Sequence, residues 1–548
     1  MAHALAGKPV QEQDIIDVQT IVDAYFDNVP DMTNPTQLVS FGTSGHRGTS
    51  VDGTFTDLHV AAITQAICDG RKQFGATGPI FVGQDTHALS QPALVTVLEV
   101  LAGNGVTAMV DCDMDFVPTP SVSRAIIRYN EEHDDKADGI IITPSHNPPD
   151  NGGIKYNTII GGPADTVVTK WIEMRANEYL TAYCESEDFK RISIDNIEPT
   201  AQVPYDYKGL YVEELGDVIN MEAIKAAGPK VLVDTLGGSG ASYWNAIKKR
   251  YGLDLTIIHD DYDPTFSFMT YDHDGKVRMD CSSTYVMASV INRIGDFDLA
   301  VGNDPDYDRY GIVVSSGLIS ANTFLTLAAR YLFTTRGWKN KGVGKTVVCT
   351  TMIDKWATDA ETPVFEVPVG FKYFSQLLFD GVIGIGGEES AGASFLKKDG
   401  TVWTTDKDGM IMALLSMEIM AVMGKSALKM ADESLEEFGN PSFGRIDAPC
   451  KKEQKQILKQ MSAELITATT VDGDPITNIR TTSLYNDMPI DGVRVETDKG
   501  WFVARPSGTE DLYKIYGESY KGDLGLVALL TAGEEIVNAA LNGTIETE

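Results

Sequence analysis

Residues 139–157 read Gly-Ile-Ile-Ile-Thr-Pro-Ser-His-Asn-Pro-Pro-Asp-Asn-Gly-Gly-Ile-Lys-Tyr-Asn. The apolar run 139–142 has the length and uniform apolarity of a strand buried on both faces. It stops at Thr143-Pro144, and Ser145 follows at once on a loop rich in Pro, Asn and Gly. A hydroxyl fixed at the end of a buried strand is well placed to attack or to carry a group. His146 and Lys155 add the cationic or titratable character that an anionic substrate requires. Asn147, Gly152 and Gly153 let backbone N–H groups converge on an anion. Taken alone, Thr-Pro-Ser is equally an ordinary turn with a capping serine, so the surrounding pattern has to decide.

That pattern is an alternation of strand and helix. Residues 80–82 read as a strand and 92–102 as a helix, with Pro92 suited to a first helical turn where its missing N–H costs nothing. The alternation restarts with a strand at 231–234, a Gly-rich turn at 237–240 and a helix over 244–250, and again with a strand at 346–350. Stacked βαβ units are the reading. From about Gly439 the texture changes to a helix over 452–464, strands at 493–496, 501–505 and 513–518, and a last helix over 525–540. The fold class is therefore α/β, with three similar mixed α/β domains and a smaller α+β C-terminal domain. The expected boundaries are a helical N-terminal arm over 1–40, domains over 41–204, 205–318 and 319–438, and the α+β domain over 439–548.

The 548 residues suffice for several cores, and 43% apolar with 22% charged content is ordinary for a globular chain. The net charge of −33, from 45 basic and 78 acidic residues, argues against nucleic acid and against anionic membrane surfaces. A phosphorylated substrate needs a locally basic site on such a chain. The cysteines at 68, 112, 184, 281, 349 and 450 form no C-x-x-C pair and are sparse, which suits a reducing compartment. Residues 1–14 lack the basic-then-apolar order of a signal peptide, and the most apolar run, 410–423, is short and carries Glu418. The expectation is a cytoplasmic protein, monomer or homodimer.

A second stretch, Asp304-Pro305-Asp306-Tyr307-Asp308-Arg309, puts three carboxylates at alternate positions after an apolar run at 299–301. An EF-hand needs Gly at its sixth place and Glu at its twelfth; here those are Arg309 and Ser315. Three protein oxygens with open positions left for phosphate suit Mg²⁺. Asp111, Asp113 and Asp115 repeat the spacing without a basic or Gly partner, and read as a solvated turn. A third stretch, Arg505-Pro506-Ser507-Gly508-Thr509, offers a guanidinium, two hydroxyls and a flexible backbone to a phosphate dianion. Gly387-Glu388-Glu389-Ser390 follows an apolar run, and Glu388 and Ser390 are able to bond vicinal sugar hydroxyls. The loop 41–48 is Gly-rich and carries Arg47, a candidate to support a phosphate on Ser145; no Lys-Ser/Thr follows its glycines, so it is not a Walker loop. The loop 83–87, Gly-Gln-Asp-Thr-His, is uninformative alone. Nucleophile, metal cage and anion clamp together point to phosphoryl transfer.

In combination, the five elements at 41–48, 143–148, 304–309, 387–390 and 505–509 resemble the α-D-phosphohexomutase superfamily, in that family's order over about 40–520. The resemblance implies four domains around a central cleft. It implies that Ser145 is the phosphoserine, and that Asp304, Asp306 and Asp308 bind Mg²⁺ together with that phosphate. Glu388 and Ser390 would read the sugar, while Arg505, Ser507, Gly508 and Thr509 hold the phosphate that is not reacting. The expected reaction interconverts glucose 1-phosphate and glucose 6-phosphate through glucose 1,6-bisphosphate. Mannose or glucosamine phosphates, a phosphatase and a non-catalytic sugar-phosphate binder are the alternatives. Some members carry a His after the sugar loop, but 391–395 here reads Ala-Gly-Ala-Ser-Phe. The acid/base candidates are then Lys155, which is preferred, with Lys372, Lys397 and Lys398. Arg47 and His146 join Ser145 and Lys155 as candidate catalytic residues. Arg309, Lys372 and Lys398 are further candidate substrate-binding cations.

Overall fold

The computed structural model describes residues 2–42, 45–184, 189–506 and 512–545. The chain divides into two compact units, one of residues 1–320, 375–381 and 390–428, the other of 321–374, 382–389 and 429–548.

The first unit is built on two sheets of one design. The first contains β1 (His46–Thr49), β2 (Ile80–Gln84), β3 (Ala108–Asp111), β4 (Asp138–Ile142), β5 (Asn151–Asn157) and β6 (Gln202–Tyr205), in the order β1-β5-β4-β2-β3-β6. β4, β2, β3 and β6 are parallel, whereas β5 runs antiparallel to β4 and to β1. The second contains β7 (Val231–Asp234), β8 (Leu255–Ile258), β9 (Leu299–Asn303), β10 (Tyr310–Val314) and β11 (Gly317–Leu318), in the order β11-β10-β9-β7-β8. Again β9 is parallel to β7, and β10 returns antiparallel to β9. In both sheets a buried parallel strand ends in a tight loop that turns straight back as a neighbouring antiparallel strand. The serine loop joins β4 to β5, and the carboxylate loop joins β9 to β10.

Sequence dictates this locally. Ile140, Ile141 and Ile142 are fully buried, each worth roughly 1.5–3 kcal/mol of burial. Gly153 lets β5 pass close to the serine loop, because a Cβ there would stand 2.2 Å from the Thr143 carbonyl oxygen. The helix Gly409–Met423 is buried over its first eleven residues, and Asp408 caps it by accepting from the N–H groups of Met410 and Ile411 at 3.1 Å each.

In the second unit, β12 (Gly342–Thr346) lies between β13 (Val364–Val367) and β14 (Ile383–Gly387), all parallel. The strand expected at 346–350 is thus displaced: the run Val347–Thr350 is a turn, and the ladder belongs to the glycine-rich segment before it. The reason is aromatic crowding. A Cβ on Gly342 would meet the Phe365 ring at 2.2 Å, and one on Gly344 the Phe374 ring at 2.8 Å, so close packing replaces apolar side chains as the signal. β15 (Ala393–Phe395) belongs to the first unit.

The C-terminal part is an antiparallel sheet of β16 (Ser442–Pro449), β17 (Thr470–Val471), β18 (Asp474–Thr482), β19 (Pro489–Thr497), β20 (Gly500–Pro506) and β21 (Leu512–Ser519), ordered β16-β21-β20-β19-β18-β17. The sequence reading caught β19, β20 and β21 but not the more exposed β16 and β18. The helix expected over 452–464 ends earlier, at Lys452–Lys459, and a 3₁₀ turn follows at Ala463–Leu465. Gly522–Ile545 is a long apolar helix, and its stretch 522–542 has the length and composition of a membrane span. Leu529, Leu530, Val537 and Leu541 are nevertheless buried in one cluster with Phe502 and Ile515 of the sheet, which is what a core helix does.

The N-terminal arm is only partly helical. Val18–Asp27 is an α-helix, but His3, Gly7 and Val10 donate backbone hydrogen bonds to the carbonyls of His273, Tyr271 and Met269. The arm runs alongside the loop that precedes Asp280 instead of standing free.

Candidate active site

Ser145 is almost fully buried and sits at φ +62°, a left-handed conformation that costs a non-glycine residue about 1–3 kcal/mol unless its surroundings impose it. They do. The Ser145 N–H donates to Thr143 Oγ1 at 2.7 Å, and Thr143 Oγ1 donates to Asp85 Oδ2 at 2.6 Å. Asp85 also accepts from Ser90 Oγ at 2.5 Å, the His87 N–H at 3.0 Å and His87 Nδ1 at 2.8 Å. Ser145 Oγ itself donates to Asp304 Oδ2 at 2.9 Å and lies 3.4 Å from His146 Nδ1.

Asp304, Asp306 and Asp308 are buried, and one oxygen of each lies within 4.8 Å of the others. The loop is closed at its base by Asn303 Nδ2, which donates to the Arg309 carbonyl at 2.8 Å, and by the Arg309 N–H, which donates to Asp304 Oδ1 at 2.9 Å. Thr119 Oγ1 donates to Asp306 Oδ2 at 2.8 Å. Lys155 Nζ reaches Asp306 Oδ2 at 2.5 Å and Asp308 Oδ2 at 3.1 Å, and Lys407 Nζ reaches the same Asp308 oxygen at 3.1 Å.

Charge follows from this packing. Burial, with Asp306 and Asp308 close by, pushes the Asp304 carboxyl well above its ordinary value. Burial works in the same direction on Asp308, but Lys155, Lys407 and Arg309 outweigh it and hold that carboxyl well below the usual range. Burial disfavours the Lys155 cation, and Asp306 and Asp308 reverse the effect, so its ammonium is held protonated. His146 is held neutral, pushed down to about 3 by burial and by the Arg309 cation.

Asp306 Oδ1 and Asp308 Oδ1 are buried without a hydrogen-bond partner. With one oxygen from each of the three carboxylates within 4.8 Å of the others, the cluster is an all-oxygen donor set that fits a hard divalent cation such as Mg²⁺. The two other acidic groupings do not compare. Asp111 Oδ1 is engaged by the N–H groups of Asp113 and Asp115 at 2.9 and 3.1 Å; only part of the turn read from the sequence is solvated, since Asp111 is buried and Lys208 Nζ lies 3.3 Å from Asp115 Oδ2. In the Asp272, His273, Asp274 group, only Asp272 is buried.

Of the remaining candidates, Arg47 stands on β1 opposite Gly153 of β5 and lies in the electrostatic field of all three carboxylates. Arg309 Nη1 is 3.4 Å from Asp280 Oδ2, and its Nε is 3.9 Å from Asp308 Oδ1. Ser390, half-buried, belongs to the first unit. Lys398 is exposed; its Nζ rests 3.4 Å from the Ile219 carbonyl, and its N–H donates to the Asp217 carbonyl at 2.9 Å. In the second unit, Glu388 is buried at the end of β14, Lys372 opens the helix Lys372–Phe379 with its Nζ 5.5 Å from the Tyr373 ring, and Arg505 is half-buried on β20. Ser507, Gly508 and Thr509 lie outside the described residues, as do Thr43 and Ser44 of the loop before Arg47.

Sequence reasoning missed Asp85, His87, Thr119, Asp280 and Lys407. Asp85 and His87 directly follow β2, and a strand's C-terminal end was the available signal. Thr119, Asp280 and Lys407 reach the loops from distant segments and carry no local signature.

Four family models match the chain in order: phosphoglucomutase/phosphomannomutase alpha/beta/alpha domain I over residues 38–182, domain II over 210–317, domain III over 320–438 and the C-terminal domain over 447–524. A phosphoglucomutase of Komagataeibacter xylinus is 46% identical over 539 residues, covering 97% of each chain. Phosphoglucomutase 1 of Saccharomyces cerevisiae is 26% identical, covering 88% of each. Among solved structures, the open form of pp63/parafusin from Paramecium matches with a TM-score of 0.72 at 20% identity, over 94% of this chain and 96% of that one. A phosphoglucomutase/phosphomannomutase family protein from Burkholderia thailandensis matches with a TM-score of 0.70 at 20% identity, over 92% and 98%.

Proposed function

Because the chain belongs to the phosphoglucomutase/phosphomannomutase family, we propose that it interconverts glucose 1-phosphate and glucose 6-phosphate, with Ser145 as the phosphoryl carrier. The observation that carries this reading is the 2.9 Å contact between Ser145 Oγ and Asp304 Oδ2. It joins a strained, buried hydroxyl to a carboxylate cluster contributed by a different sheet. Glucose as the sugar is supported by the nearly full-length likeness to the Komagataeibacter enzyme.

Phospho-Ser145 gives its phosphoryl group to the free hydroxyl of the hexose monophosphate: the serine Oγ–P bond breaks and a sugar O–P bond forms. The resulting glucose 1,6-bisphosphate reverses its orientation and returns its other phosphate to Ser145. Asp304, Asp306 and Asp308 would hold Mg²⁺, which when bound offsets charge on the transferring group. Lys155, protonated beside Asp306 and Asp308, is proposed to give its proton to the departing serine oxygen and to take up the one that the sugar hydroxyl releases. Arg47, Arg309 and the neutral His146 border the transferring phosphate. Glu388 and Ser390 bond the sugar hydroxyls, and Arg505, Ser507, Gly508 and Thr509 bind the second phosphate. Lys372 and Lys398 are secondary cations for the substrate. Burial of Ser145 keeps water from the phosphoserine, which separates a mutase from a phosphatase. We further propose domains at 41–204, 205–318, 319–438 and 439–548, and residence in the cytoplasm, where Cys68, Cys112, Cys281, Cys349 and Cys450, which form no disulfide, stay reduced.

The test is an assay of the purified chain with glucose, mannose and glucosamine 1-phosphates, each with Mg²⁺ and catalytic bisphosphate. Fast isomerisation of the glucose compound supports the reading; release of inorganic phosphate without isomer contradicts it.

A further inference from the structure

His87 lies behind the serine loop and touches neither Ser145 nor the carboxylate cluster. Its side chain is fully buried, and each ring nitrogen faces an acceptor that has no proton to give. Nδ1 is 2.8 Å from Asp85 Oδ2, and Nε2 is 3.1 Å from the Asn147 carbonyl oxygen. A neutral imidazole has one N–H, whereas two acceptors on opposite sides need two, so the imidazolium is the form that satisfies the site. The Phe266 ring, 5.0 Å away, covers it.

The two ends of the serine loop are thereby tied to one ion pair. Asp85 holds the N-terminal end through Thr143, whose hydroxyl proton is committed to the carboxylate and whose lone pair accepts the Ser145 N–H. His87 holds the C-terminal end through the Asn147 carbonyl. Between the anchors lie Pro144, Ser145 and His146, with Ser145 in its left-handed conformation.

We propose that His87 is a positioning residue for phosphoryl transfer: its Nε2–H on the Asn147 carbonyl fixes the loop in the conformation that aims Ser145 Oγ at Asp304. The inference rests on Ser145 being the phosphoryl carrier. The His87 side chain is fully buried against Asp85 and the Asn147 carbonyl, so its loss alters where the reacting oxygen stands and not how the sugar binds. A displacement of about 1 Å is enough to cost on the order of 100-fold in rate.

Paired substitutions test this. In His87→Asn the amide replaces Nδ1 and keeps the Asp85 contact but falls short of Asn147. In His87→Gln the longer amide overlays Nε2 and keeps a donor on that carbonyl. The expected result is a kcat lowered about 100-fold in His87→Asn with KM for glucose 1-phosphate changed less than about threefold, and a kcat restored to within about fivefold of the parent in His87→Gln. A merely structural role would lower the melting temperature of both variants while leaving kcat per folded molecule alike. Parental kcat in folded His87→Asn overturns the proposal, as does equal loss of kcat in both variants. If His87→Asn does not fold, Thr143→Val removes the opposite anchor and should show the same loss of kcat at constant KM; parental kcat there also overturns it. Ser145→Ala is run alongside: if it keeps activity, the carrier assignment has failed, and the failure is recognisably not that of the clamp.

Discussion

Ser145 Oγ and Asp304 Oδ2 stand 2.9 Å apart although 159 positions separate them in the chain. The contact exists because β4 and β9 belong to separate sheets of the same design, each ending a parallel strand in a loop that turns back antiparallel. One loop brings the hydroxyl and the other the carboxylates, so neither sheet alone makes a site.

Ser145→Ala removes the carrier oxygen and leaves the surrounding cations intact. Turnover should fall by at least about 10⁴-fold, as when a nucleophile acting as part of a unit is lost, while glucose 1-phosphate still binds in titration calorimetry. Retained turnover would contradict the carrier role.

Chelation should abolish activity, and added Mg²⁺ should restore it. Asp308→Asn removes the charge that faces Lys155 and Lys407 and replaces one of the two carboxylate oxygens by an amide nitrogen. Its Mg²⁺ requirement should shift at least tenfold upward, by the scale of a charged hydrogen-bond partner. An unchanged Mg²⁺ titration would place the cation elsewhere.

Arg505→Ala should raise KM for hexose phosphates about 10- to 100-fold, the loss of a charge-assisted contact worth about 1.5–3 kcal/mol. A KM equal to the parent's would remove Arg505 from the phosphate clamp.

Arg71 and Asp138, the first residue of β4, form a buried pair. Nε bonds both carboxylate oxygens at 3.0 Å, Nη2 bonds one at 2.6 Å, and Tyr156 Oη donates to the other at 2.7 Å. Arg71→Ala strands the carboxylate and should cost about 3–5 kcal/mol of stability, seen as a lower denaturation midpoint. A shift below about 1 kcal/mol would mean that the pair is solvated in solution.

His59 is held neutral, pushed down to about 3 by burial and by the neighbouring His46, which is itself pushed down to about 4 by burial. A depressed histidine takes its proton more readily in the unfolded chain. The native state is therefore undiminished above the ordinary value of 6.5 and loses stability as pH falls from there toward about 4 for His46 and about 3 for His59. Melting temperature should drop across that window, and the drop should be smaller in His59→Gln. An equal drop in parent and variant would assign the acid sensitivity to other groups.

The motif-bearing loops were legible in the sequence because each is a local matter: an apolar strand, an abrupt stop, and residues whose spacing has chemical meaning. The trio at 304–308 was separable from its look-alike at 111–115 because Arg309 follows it; a strand precedes both, β9 the one and β3 the other. What was not legible depends on distant contacts. Asp85 and His87 looked inert until Thr143 and Asn147 were seen against them. Lys407 gains its role only where it meets Asp308. β12 was misplaced because Phe365 and Phe374 crowd its glycines, a cause written elsewhere in the chain.

The most direct test of the central claim is to incubate the chain with glucose 1,6-bisphosphate and Mg²⁺, map the phosphate by peptide mass spectrometry, and then add hexose monophosphate. The account requires a single phosphate on Ser145 that passes to the sugar on that addition. A phosphate on another residue, or none in a chain that isomerises normally, would contradict it.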